Sequence, residues 1–274
     1  MKAFALCLLI FCSALALQAQ QPASIPSPNL AGIAHVAIRV HDLDASVAFY
    51  QKLGFVRAFA LSRDGAVYEA FIKINDRQFI ELYPTTPKDN QTGFLHLCFE
   101  GSDLHAVHDY YVAHGLKPTD VHTAGAGNLL FSMPGPLSPT GPQNMEYTQY
   151  MPGSLHSKDV GLHLGADRIA TQLITVTIAV DDPTAATAFY LHTIGFAQKK
   201  SQDKTLLTIP GATPAASLQI VPSQPLGFKA RIVFAADPAK AAIALRARGI
   251  PFSSVVNHEL TLSDPDGNLI ILRQ

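Results

Sequence analysis

The chain has 274 residues, 48% hydrophobic and 15% charged, and its 20 basic and 21 acidic side chains leave a formal charge of −1. A near-neutral balance without a Lys/Arg run offers no electrostatic footprint for nucleic acid or for an anionic membrane surface, and the apolar content argues against disorder. The length suits two domains.

The first segment stands apart from any fold. Lys2 precedes an apolar run from Ala3 to Leu17 that gives way to small and amide residues at Ala19 and Gln20, which is the pattern of a secretory signal peptide over 1–19. That run is shorter than the roughly 18 residues a membrane helix needs, and no later run reaches that length. Export to the periplasm or the medium is therefore expected, with no membrane partner after cleavage. Cys7 and Cys12 fall inside the signal, so the mature chain keeps Cys98 alone and forms no internal disulfide. Residues 20–30, rich in Pro, Ser and Gln, read as a flexible leader.

From there the chain repeats itself. HVAIRVHDLDASVAFY (His35 to Tyr50) and TVTIAVDDPTAATAFY (Thr175 to Tyr190) share eight of sixteen positions. Each begins with a period-two run, Ile33 to Val40 or Ile174 to Val180, that predicts a half-buried strand. A helix follows, opened by Asp42 in one copy and by Asp182-Pro183 in the other, and closed by Gly54 or Gly195. Further strands are expected over 66–74 and 78–83, and over 205–209 and 217–221. The order then recurs within each copy: strand 94–99, a helix from about Asp103 to Ala113 and strands near 128–133 and 144–150; then strand 231–234, Asp237-Pro238 opening a helix, and strands near 259–263 and 269–272. The expectation is an α+β fold of four βαβββ modules in two tandem domains, 31–150 and 171–274, joined by a linker over 151–170. Each module covers one face of its sheet with a helix and leaves the other free to curve round a ligand.

On the first strand, alternation puts Ala34, Val36, Ile38 and Val40 toward the helix and His35, Ala37 and Arg39 toward the concavity. Glu81 in FIELY, His96 in FLHLCF and Glu146 in NMEYT are likewise polar residues between apolar neighbours on predicted inner strands. A single such residue is more often a satisfied polar group than a ligand. Four at matched places in a duplicated unit differ, because a carboxylate buried on a strand demands a cation or donors. His35, Glu81, His96 and Glu146 are a plausible set for one divalent metal: Zn, Ni, Co, Mn or Fe(II). Tyr83, Phe79, Asn144 and Thr148 alternate in phase with them and are expected to line the pocket. His105, His108, His114, His122, His156 and His163 are expected to be solvated, and Cys98 to be a buried filler.

The run HVAIRVHDLDASVAFYQKLGF, then FIELYP, FLHLCFE and MEY, resembles the vicinal oxygen chelate superfamily, which holds glyoxalase I, extradiol dioxygenases and the bleomycin resistance proteins. The resemblance implies metal ligation by His35, His96 and Glu146, with Glu81 the further glutamate typical of glyoxalase I and Arg39 matching an arginine that binds a substrate carboxylate. In the second copy the ligand positions read Thr175, Gln219, Arg231 and Ile271, so that domain is expected to be metal-free, a structural or homodimer-forming partner. A proline-rich loop, Pro134 to Gln143, is expected to form a rim or lid.

Two histidines and two glutamates favour lyase or isomerase chemistry on a small oxygenated substrate through a metal-stabilised enediolate, with Glu146 and Glu81 as catalytic residues. An Fe(II) extradiol-type dioxygenase with Glu81 outside the ligand set is the first alternative, and a non-catalytic, resistance-type sequestering protein the second. Export sets the protein apart from glutathione and coenzyme A thioesters, which are chiefly cytosolic.

Overall fold

The computed structural model describes residues 30–199, 205–223 and 229–274; the expected signal peptide and nearly all of the leader lie outside them. The N-terminal half runs β1 (Leu30–Val40), α1 (Leu43–Lys52), β2 (Val56–Arg63), β3 (Ala66–Asn75), β4 (Gln78–Pro84), β5 (Gly93–Gly101), α2 (Leu104–Ala113), β6 (His122–Thr123), β7 (Leu129–Ser138) and β8 (Gly141–Gln149). A short helix α3 (Leu155–Lys158) follows. The C-terminal half runs β9 (Gln172–Val180), α4 (Pro183–Phe189) with a π-helical turn over Tyr190–Ile194, β10 (Ala197–Gln198), β11 (Leu206–Thr208), β12 (Ser217–Pro222), β13 (Arg231–Ala235), α5 (Pro238–Ala247), β14 (Glu259–Ser263) and β15 (Leu269–Arg273).

Helices α1, α2, α4 and α5 start where the sequence says they should, each by the same device. Asp42, Asp103, Asp182 and Asp237 are extended N-cap residues whose carboxylates accept from backbone N–H groups two or three residues on, and Pro183 and Pro238 open their helices. Such caps are worth about 1 kcal/mol each.

Strand order is β2-β3-β4-β1-β5-β8-β7-β6 in an eight-stranded sheet and β10-β11-β12-β9-β13-β15-β14 in a seven-stranded one. Each is two modules joined through their first strands, β1 antiparallel to β5 and β9 antiparallel to β13. The helix-covered faces meet: Phe55 packs on Phe234 and Phe99 on Phe196, at centroid distances of 5.6 and 5.5 Å, and the Tyr190 hydroxyl reaches Met145 Sδ at 3.6 Å. One continuous apolar cluster therefore serves both halves, which burial drives with no disulfide among the described residues. Polar clamps fix the docking: Gln78 joins Ile33 to Leu173, and Tyr50 donates to Asp264 at 3.4 Å.

Three expectations need correction. Strands β2, β6 and β10 were not anticipated; all three are edge strands, β6 and β10 only two residues long, and VRAFALSR in β2 alternates poorly and is only partly buried. Residues 134–143 are not a loop. They extend β7 and β8 into a hairpin with a register shift between Pro134 and Leu137, where the missing proline donors are tolerated. The hairpin braces the second half, with Asp181 N–H on the Leu137 carbonyl at 2.9 Å and Gln143 on the Ala179 carbonyl at 3.3 Å.

The linker, too, is more than a spacer. It crosses directly over Gly54, where a Cβ would lie 2.4 Å from the Asp167 carbonyl, so only glycine fits. It also carries α3, held by the fully buried Lys73, whose ammonium meets Asp159 Oδ2 at 2.7 Å, the Leu162 carbonyl at 2.8 Å and Asp76 at 2.8 Å.

Candidate metal centre

Four adjacent strands, β4-β1-β5-β8, carry Glu81, His35, His96 and Glu146 respectively. The register lines them up: Ala37 faces both Glu81 and His96, and Cys98 faces both His35 and Glu146. All four side chains point to the concave face, opposite the helices, and lie buried or nearly so.

They do not play equal parts. His35 Nε2, His96 Nε2 and Glu146 Oε2 converge, with separations of 3.2 Å between the imidazoles, 3.3 Å from His96 to Glu146 and 3.8 Å from His35 to Glu146. These are the one group of three or more His, Cys, Asp or Glu ligand atoms that meet among the described residues. Glu81 stands behind them. Its Oε1 accepts from His35 Nδ1 at 2.8 Å, which fixes the ring and turns Nε2 toward the convergence point. Asn144, an exposed residue, donates to the other oxygen of Glu146 at 3.0 Å and sets its rotamer.

The donor set fits a metal. An ion about 2.0 to 2.2 Å from three such atoms needs them about 3.0 Å apart for octahedral and about 3.4 Å apart for tetrahedral angles; the observed 3.2, 3.3 and 3.8 Å lie around the tetrahedral value and somewhat above the octahedral one. Electrostatics agree. Burial opposes protonation of His35, but Cys98 and Glu81 beside it push its pKa well above the ordinary value, while burial and the neighbouring His35 push His96 down. The pair thus shares one proton at the meeting point. Burial works to raise the Glu146 carboxyl, yet the two imidazoles and Asn144 hold it at about 2. A cation replacing the shared proton satisfies all three groups.

A cavity of about 150 Å³ opens beside this centre, walled by Leu61, Phe71, Ala126 and Leu130 and by the polar Glu69, Tyr83, Asn128, Thr148 and His156. Thr148 donates to the Leu129 carbonyl at 3.0 Å, so its hydroxyl is already engaged. Phe79 lies one layer back, beside the His156 ring at 4.8 Å. Arg39 lines a separate polar cleft of about 420 Å³ with Lys88, Asp89 and Thr140, and its guanidinium is 3.9 Å from Asp89. Cys98 is fully buried against His35, and burial pushes its thiol up to about 12.

Two cavity residues escaped the sequence reading. Glu69 is buried on β3, and burial together with the Glu81 charge pushes its carboxyl up to about 8. Tyr83 oxygen lies 2.6 Å from Glu69 and 3.1 Å from Glu81. The Tyr83 hydroxyl is a donor set between the two carboxyls, closer to Glu69 than to Glu81, and Glu81 also accepts from His35. Glu69 meets the criterion that singled out Glu81, a lone carboxylate among apolar neighbours in YEAFI. The second is His156, expected in solvent but 3% exposed, stacked on Tyr150 at 4.5 Å and edge-on to Phe59 and Phe71. Burial pushes its pKa down to about 4. Of the other histidines in that expectation, His105, His114, His122 and His163 are exposed and His108 partly so.

In the second sheet, the same register places Thr175, Gln219, Arg231 and Ile271 at the equivalent points, since Thr177 faces both Gln219 and Arg231 and Val233 faces both Thr175 and Ile271. Thr177 donates to Gln219 at 3.2 Å.

Residues 32–144 match the family model described as the Glyoxalase/Bleomycin resistance protein/Dioxygenase superfamily. The match covers the domain that carries the candidate metal centre, which is thus similar to the vicinal oxygen chelate superfamily, and the second sheet repeats that domain's strand arrangement. No curated protein sequence matches it significantly. Solved structures do. A Mn(II)-bound glyoxalase from Novosphingobium aromaticivorans is 16% identical, with 89% of this chain and 82% of that one covered and a TM-score of 0.61. Catechol 2,3-dioxygenase is 15% identical over 89% and 87%, at 0.64. Homoprotocatechuate 2,3-dioxygenase from Arthrobacter globiformis is 17% identical over 91% and 81%, at 0.60. At such identities the likeness is one of fold.

Proposed function

We propose that the protein is a divalent-metal enzyme in which His35, His96 and Glu146 hold the ion, and that its chemistry is extradiol-type oxygenation of a small ring bearing two adjacent hydroxyls. The observation that carries this reading is the commitment of Glu81 to His35 Nδ1 at 2.8 Å. With Glu81 engaged there, the ligand set is two histidines and one carboxylate with open positions, the arrangement typical of non-haem Fe(II) oxygenases. The lyase or isomerase expectation rested on four ligands and on Glu81 being free to act as a base.

Cavity size supports the same reading. A space of about 150 Å³ is comparable to one that holds a single benzene ring. A glutathione adduct or a coenzyme A thioester would have to lie mostly outside it, whereas a single small ring fills it, which agrees with the export we also propose from residues 1–19.

When bound, the metal supplies Lewis acidity and, as Fe(II), electrons for dioxygen. The protein's own groups do the rest. Glu81 keeps the proton of His35 on Nδ1 and Nε2 free for ligation, and Asn144 holds Glu146 with one oxygen turned inward. Leu61, Phe71 and Leu130 keep water from the ring, and Glu69 holds a proton at neutral pH on the cavity wall.

Glu69 is also the observation that favours a second reading, proton transfer next to a metal-bound oxygen, because a carboxyl pushed up to about 8 is a competent base at slightly alkaline pH. Oxygen uptake separates the two. Protein loaded anaerobically with Fe(II) and supplied with a panel of monocyclic catechols should consume one dioxygen per substrate. Turnover without oxygen, or with Zn(II) or Ni(II), would favour proton transfer. Tight binding of ligand and metal without turnover would favour sequestration.

A further inference from the structure

The concavity that holds the metal centre has two unlike ends. Along β4 the inward residues run Phe79, Glu81, Tyr83, and along β8, which runs the other way, Asn144, Glu146, Thr148 and then Tyr150 beyond the strand. Tyr83 and Asn144 mark the end that meets solvent, Asn144 being exposed and Tyr83 half-buried. Phe79 and Tyr150, with ring centroids 6.4 Å apart, mark the other. That end is occupied by His156 of the linker, whose ring lies 4.5 Å from Tyr150, 4.8 Å from Phe79, 4.9 Å from Phe59 and 5.3 Å from Phe71. The same ring lines the cavity of about 150 Å³ that His35, Glu81 and Glu146 line.

We infer that His156 is the specificity-determining floor of the site: the linker between the two domains delivers its ring into the concavity, where it limits ligands to a single ring and excludes fused bicyclic ones. The ring is held too firmly to step aside. Lys73, in phase with Phe71 on β3, takes Asp159 at 2.7 Å three residues after His156. The Leu155 N–H meets the Ala126 carbonyl at 2.8 Å, and Gly127 lies so close that a Cβ there would be 3.2 Å from Ser154 Cα. Four aromatic rings close round the imidazole, and packed interiors relax only partly when such a group is removed. Because His156 already borders the cavity, the space it vacates joins that cavity, so the size limit belongs to this one side chain. What acts is its shape, which an uncharged ring of similar size reproduces. The inference deepens the proposed function, resting on its view that this cavity takes a small ring, and it adds what sets the limit on that ring.

The test compares phenol with 2-naphthol, which differ by one fused ring. The metal-free full chain, labelled at its leucine methyl groups, is titrated with each and followed by NMR at Leu61 and Leu130, which wall the cavity. In wild type phenol should shift these methyls and 2-naphthol should leave them in place. His156→Ala should admit 2-naphthol with an affinity gain of about tenfold or more, whereas His156→Phe should keep the wild-type limit. A folded His156→Ala that still excludes 2-naphthol, a wild type that takes 2-naphthol as readily as phenol, or no phenol response at either leucine would overturn the inference. If His156→Ala fails to fold, nuclear Overhauser contacts between bound phenol and the His156 ring protons in wild type decide the matter: they are expected, and their absence would place the ring away from the ligand and overturn the floor. Neither metal nor oxygen enters this readout, so the size limit can fail while catechol-dependent oxygen uptake stands, and the reverse.

Discussion

Glu81 accepts from Nδ1 of His35 at 2.8 Å and so stands behind the metal centre, as the group that aims a ligand. The matched strand positions of four polar residues left its part undecided, and this hydrogen bond is what the proposed three-residue centre rests on. Carboxylates in that position raise the basicity of the imidazole and fix its tautomer.

Loss of a ligand should be severe. His35→Ala, His96→Ala and Glu146→Gln each remove one of three converging atoms, and elemental analysis should show most of the bound metal gone from each. Retention of about one ion per chain in both histidine variants would sink the assignment.

Lys73 is fully buried with its ammonium on Asp159. Lys73→Ala leaves that carboxylate buried with His163 as its remaining charged partner, a change that costs at most roughly 3–5 kcal/mol. Denaturant titration should show the loss, and hydrogen exchange should show residues 155–162 opening ahead of the sheet. Uniform protection across that segment would mean that the linker is held by other contacts.

The pH dependence of stability carries a signature of His156. Its pKa falls to about 4 in the folded protein, against roughly 6.5 in the unfolded chain. The unfolded chain therefore takes up the proton first, and the contribution of this ring is present above pH 6.5 and fades as pH drops toward 4. The shift corresponds to an upper limit of about 3 kcal/mol. Chemical denaturation of wild type and His156→Phe between pH 7 and 4 should show wild type losing more stability. Parallel curves would contradict burial of a neutral ring.

Much of this was legible in the sequence. Four Asp N-caps, the duplicated strand and the inward phase of His35, Glu81, His96 and Glu146 all follow from local chemistry and period-two alternation, which act within a few residues. The pairing of Tyr50 with Asp264, 214 positions away, was not legible, because no local pattern links residues so far apart. Edge strand β2 was missed because an edge is only half-buried and alternates weakly. His156 was missed because a histidine between Leu155 and Ser157 in a linker has no periodicity to report burial, and the aromatic cage comes from strands far away in sequence. The role of Glu81 depended on which nitrogen of His35 it meets, which spacing does not encode.

The central claim is that three residues hold the metal and Glu81 does not. Co(II) titration followed by visible absorption tests it directly, since the spectrum reports coordination number and geometry. Wild type and Glu81→Gln should each bind one Co(II) with the same band pattern, Glu81→Gln about 10–100-fold more weakly, as expected for loss of an outer-shell partner. Glu146→Gln should lose the bands. If Glu81→Gln changes the band pattern, or loses Co(II) as completely as Glu146→Gln, then Glu81 is a ligand and the three-residue centre is wrong.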